Sequence, residues 1–468
     1  MKTRLTILSL WLGAVFWVSA QTFQAIYNFP SSQGPNGSLV LQNGVLFGTT
    51  GGGGTAGSGS VFKITTNGSG FGVLKSFSAV NINTSTNVDG SGSLDGLLVW
   101  SNRLFGTTSS AGFGTHGTVF GIGTNGTGFA VLNHFYVTNG KAPYVGLTLW
   151  SNALYGATAA GGISNKGAIF RVNPDGSGYT LIKSFLASEG VLLLGRLATD
   201  GNTLYGTTLS GGISNRGTIY SIGVNGDNFN VLKTFADGEG SSPRFGLILS
   251  GNRLYGVTEG DGFSTSNSIV FCINTDGSDY RVIKRFSEPD PNTGTNWDGD
   301  YIGGGLALWN GVLYGSARWG GPNDAGTIFK LNPDGSGFAV LKIFAAPTNP
   351  NGGLYINNGG MQPMGDLMVA DGVIYGVTRY GGTYGYGVIY RLTIPPTPAL
   401  TTTNIGGDFV VSWSDDSYNR TLQFTSDLSA NWSSVTNLNW TNSSVIPRRI
   451  GFRMSGLPTD RAMFFRLR

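Results

Sequence analysis

The sequence predicts an all-β protein: a seven-bladed β-propeller closed by its N-terminal strand, followed by a small β-sandwich. Three observations predict it. The motif Leu-Tyr-Gly-Thr-Thr, or a close variant, occurs seven times, with its glycines at Gly48, Gly106, Gly156, Gly206, Gly256, Gly315 and Gly376. Their spacings are 58, 50, 50, 50, 59 and 61 residues, the length of one propeller blade with occasional insertions. The chain also begins with a strand that its last repeat lacks.

One repeat shows the four strands of a blade. Gly146-Leu147-Thr148-Leu149-Trp150 is a short apolar strand, a. A tight turn at Ser151-Asn152 leads into strand b, Ala153 to Thr158. A loop with Gly161-Gly162 precedes strand c, Gly167 to Val172, and Asn173-Pro174-Asp175-Gly176 supplies a hairpin turn because Asp-Gly tolerates positive φ. Strand d runs from Tyr179 to Phe185. The seventh unit stops after strand c, at Gly387 to Leu392, whereas Phe23 to Phe29 matches a strand d such as Phe71 to Phe77. An orphan d at the start and a missing d at the end are reconciled if the first strand completes the last blade, leaving no open array edge.

Composition agrees. Of 468 residues, 77 are glycine and only 12% are charged, yet 40% are hydrophobic, which excludes a disordered chain and favours short strands with tight turns. Residues 1–20 read as a signal peptide: Lys2 and Arg4, an apolar run from Leu5 to Val18, then Val18-Ser19-Ala20. The expected location is therefore secreted, extracellular or cell-surface, with a periplasmic site also open, and no membrane span is expected after cleavage. The net charge of +4 is misleading, since Lys2 and Arg4 leave with the signal and the segment after Pro395 holds seven arginines against five aspartates. The repeat body (21–393) is neutral, so no nucleic-acid surface is implied. Cys272 is alone and is expected in the core.

Residues 394–400, with Pro395-Pro396-Thr397-Pro398, read as a stiff linker. Residues 401–468 carry strand-like runs at 409–413, 421–425, 435–438, 450–454 and 462–467, with Trp413 expected in the core.

The repeats, on their Leu-Tyr-Gly-Thr-Thr, Gly-Gly and Asp-Gly-Ser-Gly elements, resemble the GloVer-type tandem repeats of secreted bacterial proteins, and their double glycines are kelch-like. The resemblance implies an extracellular repeat protein and no particular activity. Residues 401–468 loosely resemble fibronectin type III-like modules.

Glycine density creates decoys. Gly112-x-Gly114-x-x-Gly117 and Gly121-x-Gly123-x-x-Gly126 fit a dinucleotide fingerprint, but neither opens a helix. With His116 and His134 as the only histidines, no three-histidine metal site exists. The loop Asp290–Asp300 is oxygen-rich but lacks EF-hand spacing, so it reads as a solvated loop. No cofactor, metal or catalytic residue is assigned. Lysines recur in strand d at Lys75, Lys183, Lys233, Lys284 and Lys342, and are expected to guard the blade edge against aggregation rather than to form an anion-binding rim.

Comparison between units locates a candidate site. The a–b and c–d turns are uniformly short, while the opposite face carries the insertions at 78–95, 287–304 and 345–364. The third residue after the motif glycine is Gly51, Ser109, Ala159 and Leu209 in four blades, but Glu259, Arg318 and Arg379 in the last three. Trp319 and Tyr380 follow the arginines. Glu259, Arg318, Trp319, Arg379 and Tyr380 therefore form the candidate ligand site, suited to an acidic glycan or an acidic protein segment. The bland alternative is that Glu259 and Arg318 pair across blades while the aromatics pack. The expected function is an exported, monomeric, non-enzymatic binding protein. A polysaccharide-active glycosidase or lyase stays open, with Asp298, Asp300, Glu259 and Asp261 as its candidate carboxylates.

Overall fold

The computed structural model describes residues 22–394 except 32–33, 94, 261–267, 289, 291–295 and 349–354, and beyond 394 only strand backbone between 400 and 467. Two compact units divide the chain, one spanning Phe23–Leu392 and the other including Thr393–Arg468. In the second, one antiparallel sheet orders Leu400–Ile405, Asp408–Ser414, Arg449–Met454 and Trp440–Asn442, and another orders Ser433–Ser434, Leu422–Thr425 and Phe464–Leu467. The expected strand at 435–438, the linker prolines and the Asp290–Asp300 loop lie wholly or largely outside the described residues.

The first unit is a seven-bladed β-propeller. Six blades are antiparallel a-b-c-d sheets in sequence order, and blade six gains a fifth strand, Asp300–Ile302. The seventh sheet takes its outer strand from the N-terminus: Phe23–Asn28 pairs with Val388–Thr393, matching Phe23 to Leu392 and Asn28 to Val388. A bulge skips one residue of strand d opposite the strand-c aromatic in every other blade, for instance between Lys183 and Leu181. The N-terminal strand carries the same bulge between Ala25 and Tyr27, so it repeats the geometry of a strand d and not only its sequence.

The motif glycine has a steric cause. In each blade it packs against the aromatic residue of strand c, whose ring tip fills the space a Cβ would take. A Cβ on Gly156 would meet Phe170 Cζ at 2.4 Å, and one on Gly256 would meet Phe271 Cζ at 2.4 Å. The covered ring then meets two aromatics, one ending the strand d of the preceding blade and one opening the strand d of its own. Phe185, Tyr220 and Phe229 form one such triangle, with ring centroids 4.9, 5.6 and 6.1 Å apart. At the seam the triangle is Phe344, Tyr390 and Phe23, so the first strand supplies its missing corner. Each ring pair adds about 0.5–1.5 kcal/mol beyond its buried area. Cys272 lies in this core, as expected.

The strand-d lysines do not act as solvent-facing guards. Lys75, Lys183, Lys233 and Lys284 are 16–23% exposed and pair with Asp89, Glu189, Glu239 and Asp298 at 2.5, 2.9, 2.6 and 2.7 Å. Each ammonium also lies over the strand-d aromatic of the next blade, Phe129, Phe229, Tyr280 or Phe338, at 3.9–4.7 Å. They are latches between blades. The aromatic that opens the strand d of the next blade thus covers each lysine from the side that would otherwise face solvent.

Candidate functional site

The face that carries the insertions opens into a cavity of about 750 Å³ at the propeller axis. Its lining includes Glu259, Arg318, Arg379 and Tyr380, four of the five residues singled out in the sequence; Trp319 is not on the lining. The insertions explain how the arginines are held. In blade six, Asp300–Ile302 pairs with an extended strand b, Val312–Trp319, setting Asp300 opposite Trp319. In blade seven, strand a starts at Asn357 and strand b runs to Gly382, with Met361 opposite Tyr380. Both arginines thus stand on strands, where their backbones are fixed, and not on open loops.

Glu259 does not pair with Arg318 across the blades. Its partner is Arg244, at 3.4 Å, from the connection that enters its own blade. Arg318 donates from Nε to Gln362 Oε1 at 3.3 Å, and its guanidinium lies 5.7 Å from the Trp319 ring; Arg379 stands 5.2 Å from the Tyr380 ring. Among the described residues neither Arg318 nor Arg379 forms an ion pair. Burial, with the charge of Arg379 next, lowers the basicity of Arg318, and burial raises the Glu259 carboxyl against the opposing pull of Arg244. Tyr301 stands beside this group and is raised by burial and by the Glu259 charge. The sector therefore holds three guanidiniums, Arg244, Arg318 and Arg379, against one carboxylate.

The floor was not anticipated. In four blades the residue before the strand-a leucine is Gly96, Gly146, Gly246 or Gly305, but in the others it is Ser38, Arg196 or Asp366. These three, with Asp95, meet at the axis. Asp95 accepts from the N–H groups of Gly96 and Gly146 at 2.6 and 2.5 Å and from the Ser38 hydroxyl at 3.4 Å. The Asp366 N–H donates to Ser38 Oγ at 2.8 Å, its Oδ1 accepts from Gly305 N at 2.7 Å, and Arg196 Nη2 reaches Gly96 O at 3.5 Å. Six of the seven blades are joined through these bonds. The Arg196 guanidinium packs against Gly146, where a Cβ would lie 2.3 Å from Nη2, so a larger residue there would displace the arginine.

Burial and the neighbouring Asp95 raise the Asp366 carboxyl to about 6, from an ordinary 3.8, against the pull of Arg196. The native protein therefore holds this proton more tightly than the unfolded chain. The resulting stability is fully present below about pH 4 and is lost as pH rises through about 6. Asp366→Asn is expected to be on the order of 1–2 kcal/mol more stable than wild type at pH 7.5 and indistinguishable from it at pH 4. Urea unfolding at the two pH values checks this. Asp300, also raised to about 6 by burial, keeps a residual slope of the same sign in the variant.

Of the carboxylates considered for catalysis, only Glu259 lines the cavity. Asp298 is 1% exposed and bonded to Lys284 and Ser287, so it ties down the inserted loop. Asp261 lies outside the described residues. Among the described residues no group of three His, Cys, Asp or Glu side chains is placed to hold a metal ion.

No curated protein matches the chain. Among solved structures, it is similar to an oligogalacturonate lyase in complex with manganese, at 12% identity and a TM-score of 0.48, covering 80% of this chain and 97% of the lyase. It is also similar to the phage phi92 endosialidase, at 12% identity and a TM-score of 0.44, covering 91% and 76%. The Gloeobacter/Verrucomicrobia repeat matches residues 93–309 and 192–362, together more than half of the sequence. The chain, a tandem-repeat propeller, belongs to the Gloeobacter/Verrucomicrobia repeat family.

Proposed function

We propose that the protein is an exported, monomeric binding protein whose axial cavity holds an anionic ligand, a glycan or a protein segment. The observation that carries this reading is the pair Arg318 and Arg379, held on strands at a cavity wall without ion-pair partners among the described residues. A guanidinium kept free of a carboxylate at such a wall is suited to a planar anion from outside. Export rests on residues 1–20. In this reading the kelch-like propeller is the ligand platform, and residues 401–468 are an immunoglobulin- or fibronectin III-like spacer or attachment module. The enzymatic alternative is disfavoured because Asp298 is committed to Lys284.

The test is retention of the full chain on neutral and acidic polysaccharides and on acidic peptides, beside an Arg318→Ala/Arg379→Ala variant. Acidic ligands are expected to be retained, with affinity lowered about tenfold or more in the variant. Retention of neutral ligands alone would sink the reading. Shortened glycan products on chromatography would replace binding with catalysis.

A further inference from the structure

The cavity wall and floor differ in charge, and together they restrict the ligand. Three guanidiniums line one sector with Glu259 as their one carboxylate. Below them the floor holds two carboxylates, Asp95 and Asp366, against the one guanidinium of Arg196, and hydrogen bonds tie its blades together; the cavity lining includes no residue of the a–b or c–d turns on the opposite face. A cavity that does not reach the opposite face is suited to the end of a chain rather than to a threaded one. A polyanion would place its second charge against the floor carboxylates, so a single anionic group is favoured, followed by hydroxyls that donate to Asp95 and Asp366. Tyr301, Tyr380 and Tyr144 on the lining offer ring faces for the C–H surface of a sugar.

We propose that the cavity takes the terminal residue of an acidic glycan, its one ring carboxylate between Arg244, Arg318 and Arg379 and its hydroxyls on Asp366 and Asp95. This rests on the anion-binding reading above and narrows it to a carboxylated sugar at a chain end. About 750 Å³ falls within the usual range for small-ligand cavities and accommodates a residue or two of such a chain.

Calorimetric titration of the full chain with five probes tests it. They are an oligosaccharide ending in glucuronic acid, its carboxyl-reduced counterpart, the same oligosaccharide capped by a neutral sugar, a sulfated neutral oligosaccharide, and an acidic peptide. The uronate-terminated probe is expected to bind, and carboxyl reduction or capping is expected to weaken it about tenfold or more. Arg318→Ala is expected to weaken it by a similar factor while the melting temperature stays within a few degrees of wild type, which separates lost binding from lost fold. Equal binding of capped and uncapped probes overturns the chain-end claim. Binding of only the sulfated probe or the peptide overturns the sugar carboxylate but leaves anion binding standing. No binding of any anionic probe overturns both.

Discussion

Removal of residues 21–30 is expected to leave a chain that shows no cooperative unfolding transition and elutes as aggregate. That segment is the outer strand of blade seven and pairs with Val388–Thr393. It also supplies ring contacts on both sides of the seam. Phe23 packs 5.4 Å from Tyr390 and 5.7 Å from Phe344, Tyr27 stacks 4.0 Å from Phe71, and Phe29, 2% exposed, meets Phe62 at 5.7 Å. Loss of a buried phenylalanine side chain costs about 3–5 kcal/mol, so losing Phe29 together with the half-buried Phe23 and the strand pairing rivals the about 5–15 kcal/mol that holds a typical domain folded. The strand c left behind becomes an unpaired edge, which promotes association. Circular dichroism melts and size-exclusion chromatography read both effects. Re-attaching the same segment after Thr393 is expected to restore the transition, because a strand d follows strand c in every other blade. A native-like melt after truncation would refute closure through this strand.

Lys284→Met is expected to cost about 3 kcal/mol, because it strands a carboxylate away from water. Asp298 is 1% exposed and, among the described residues, keeps only hydroxyl and amide donors from Ser287 at its carboxylate once the ammonium is gone. Adding Asp298→Asn to the same chain is expected to recover most of the loss, since a neutral amide carries a smaller desolvation cost. Lys342 is the control. It lies 4.5 Å from the Phe23 ring, forms no ion pair among the described residues, and has its basicity lowered by burial. Lys342→Met is therefore expected to change stability by no more than about 0.5 kcal/mol. Urea unfolding of the four proteins distinguishes a latch from an edge guard. A guard would leave the midpoint of Lys284→Met unchanged and show itself only as aggregation.

The propeller was legible because its signals are local and repeated. Motif glycines, Asp-Gly hairpins and the displaced first strand all lie within short windows, and seven copies expose the period. The direction of the strand-d lysines was not legible. Lys183 finds Glu189 six residues on, but its aromatic partner Phe229 lies in the next blade, outside any such window. Glu259, Arg318, Arg379 and Tyr380 were found because unit-by-unit comparison reads out one ring of the cavity. The same comparison, one position before the strand-a leucine, marks Ser38, Arg196 and Asp366 as exceptions to glycine. Arg244, three residues before the strand-a leucine, aligns with Tyr144 and Leu194 and carried the same kind of signal, whereas Tyr301 lies in an insertion where units cannot be aligned. The partner of Glu259 was misjudged because that repeat position was not compared between units.

Ser38 and Asp366 lie 328 residues apart, yet their bond forms part of the cavity floor. A growing or translocating chain therefore has no finished floor until its seventh blade has been made and the first strand has returned to meet it. Blades two to four can form Asp95–Gly146 and Arg196–Gly96 early, but that partial ring has an open base. Ligand competence is thus acquired last, in the same event that seals the ring. A ligand seated across Gly37 and Arg379 would in turn hold the seam shut, adding stability in proportion to the logarithm of its concentration.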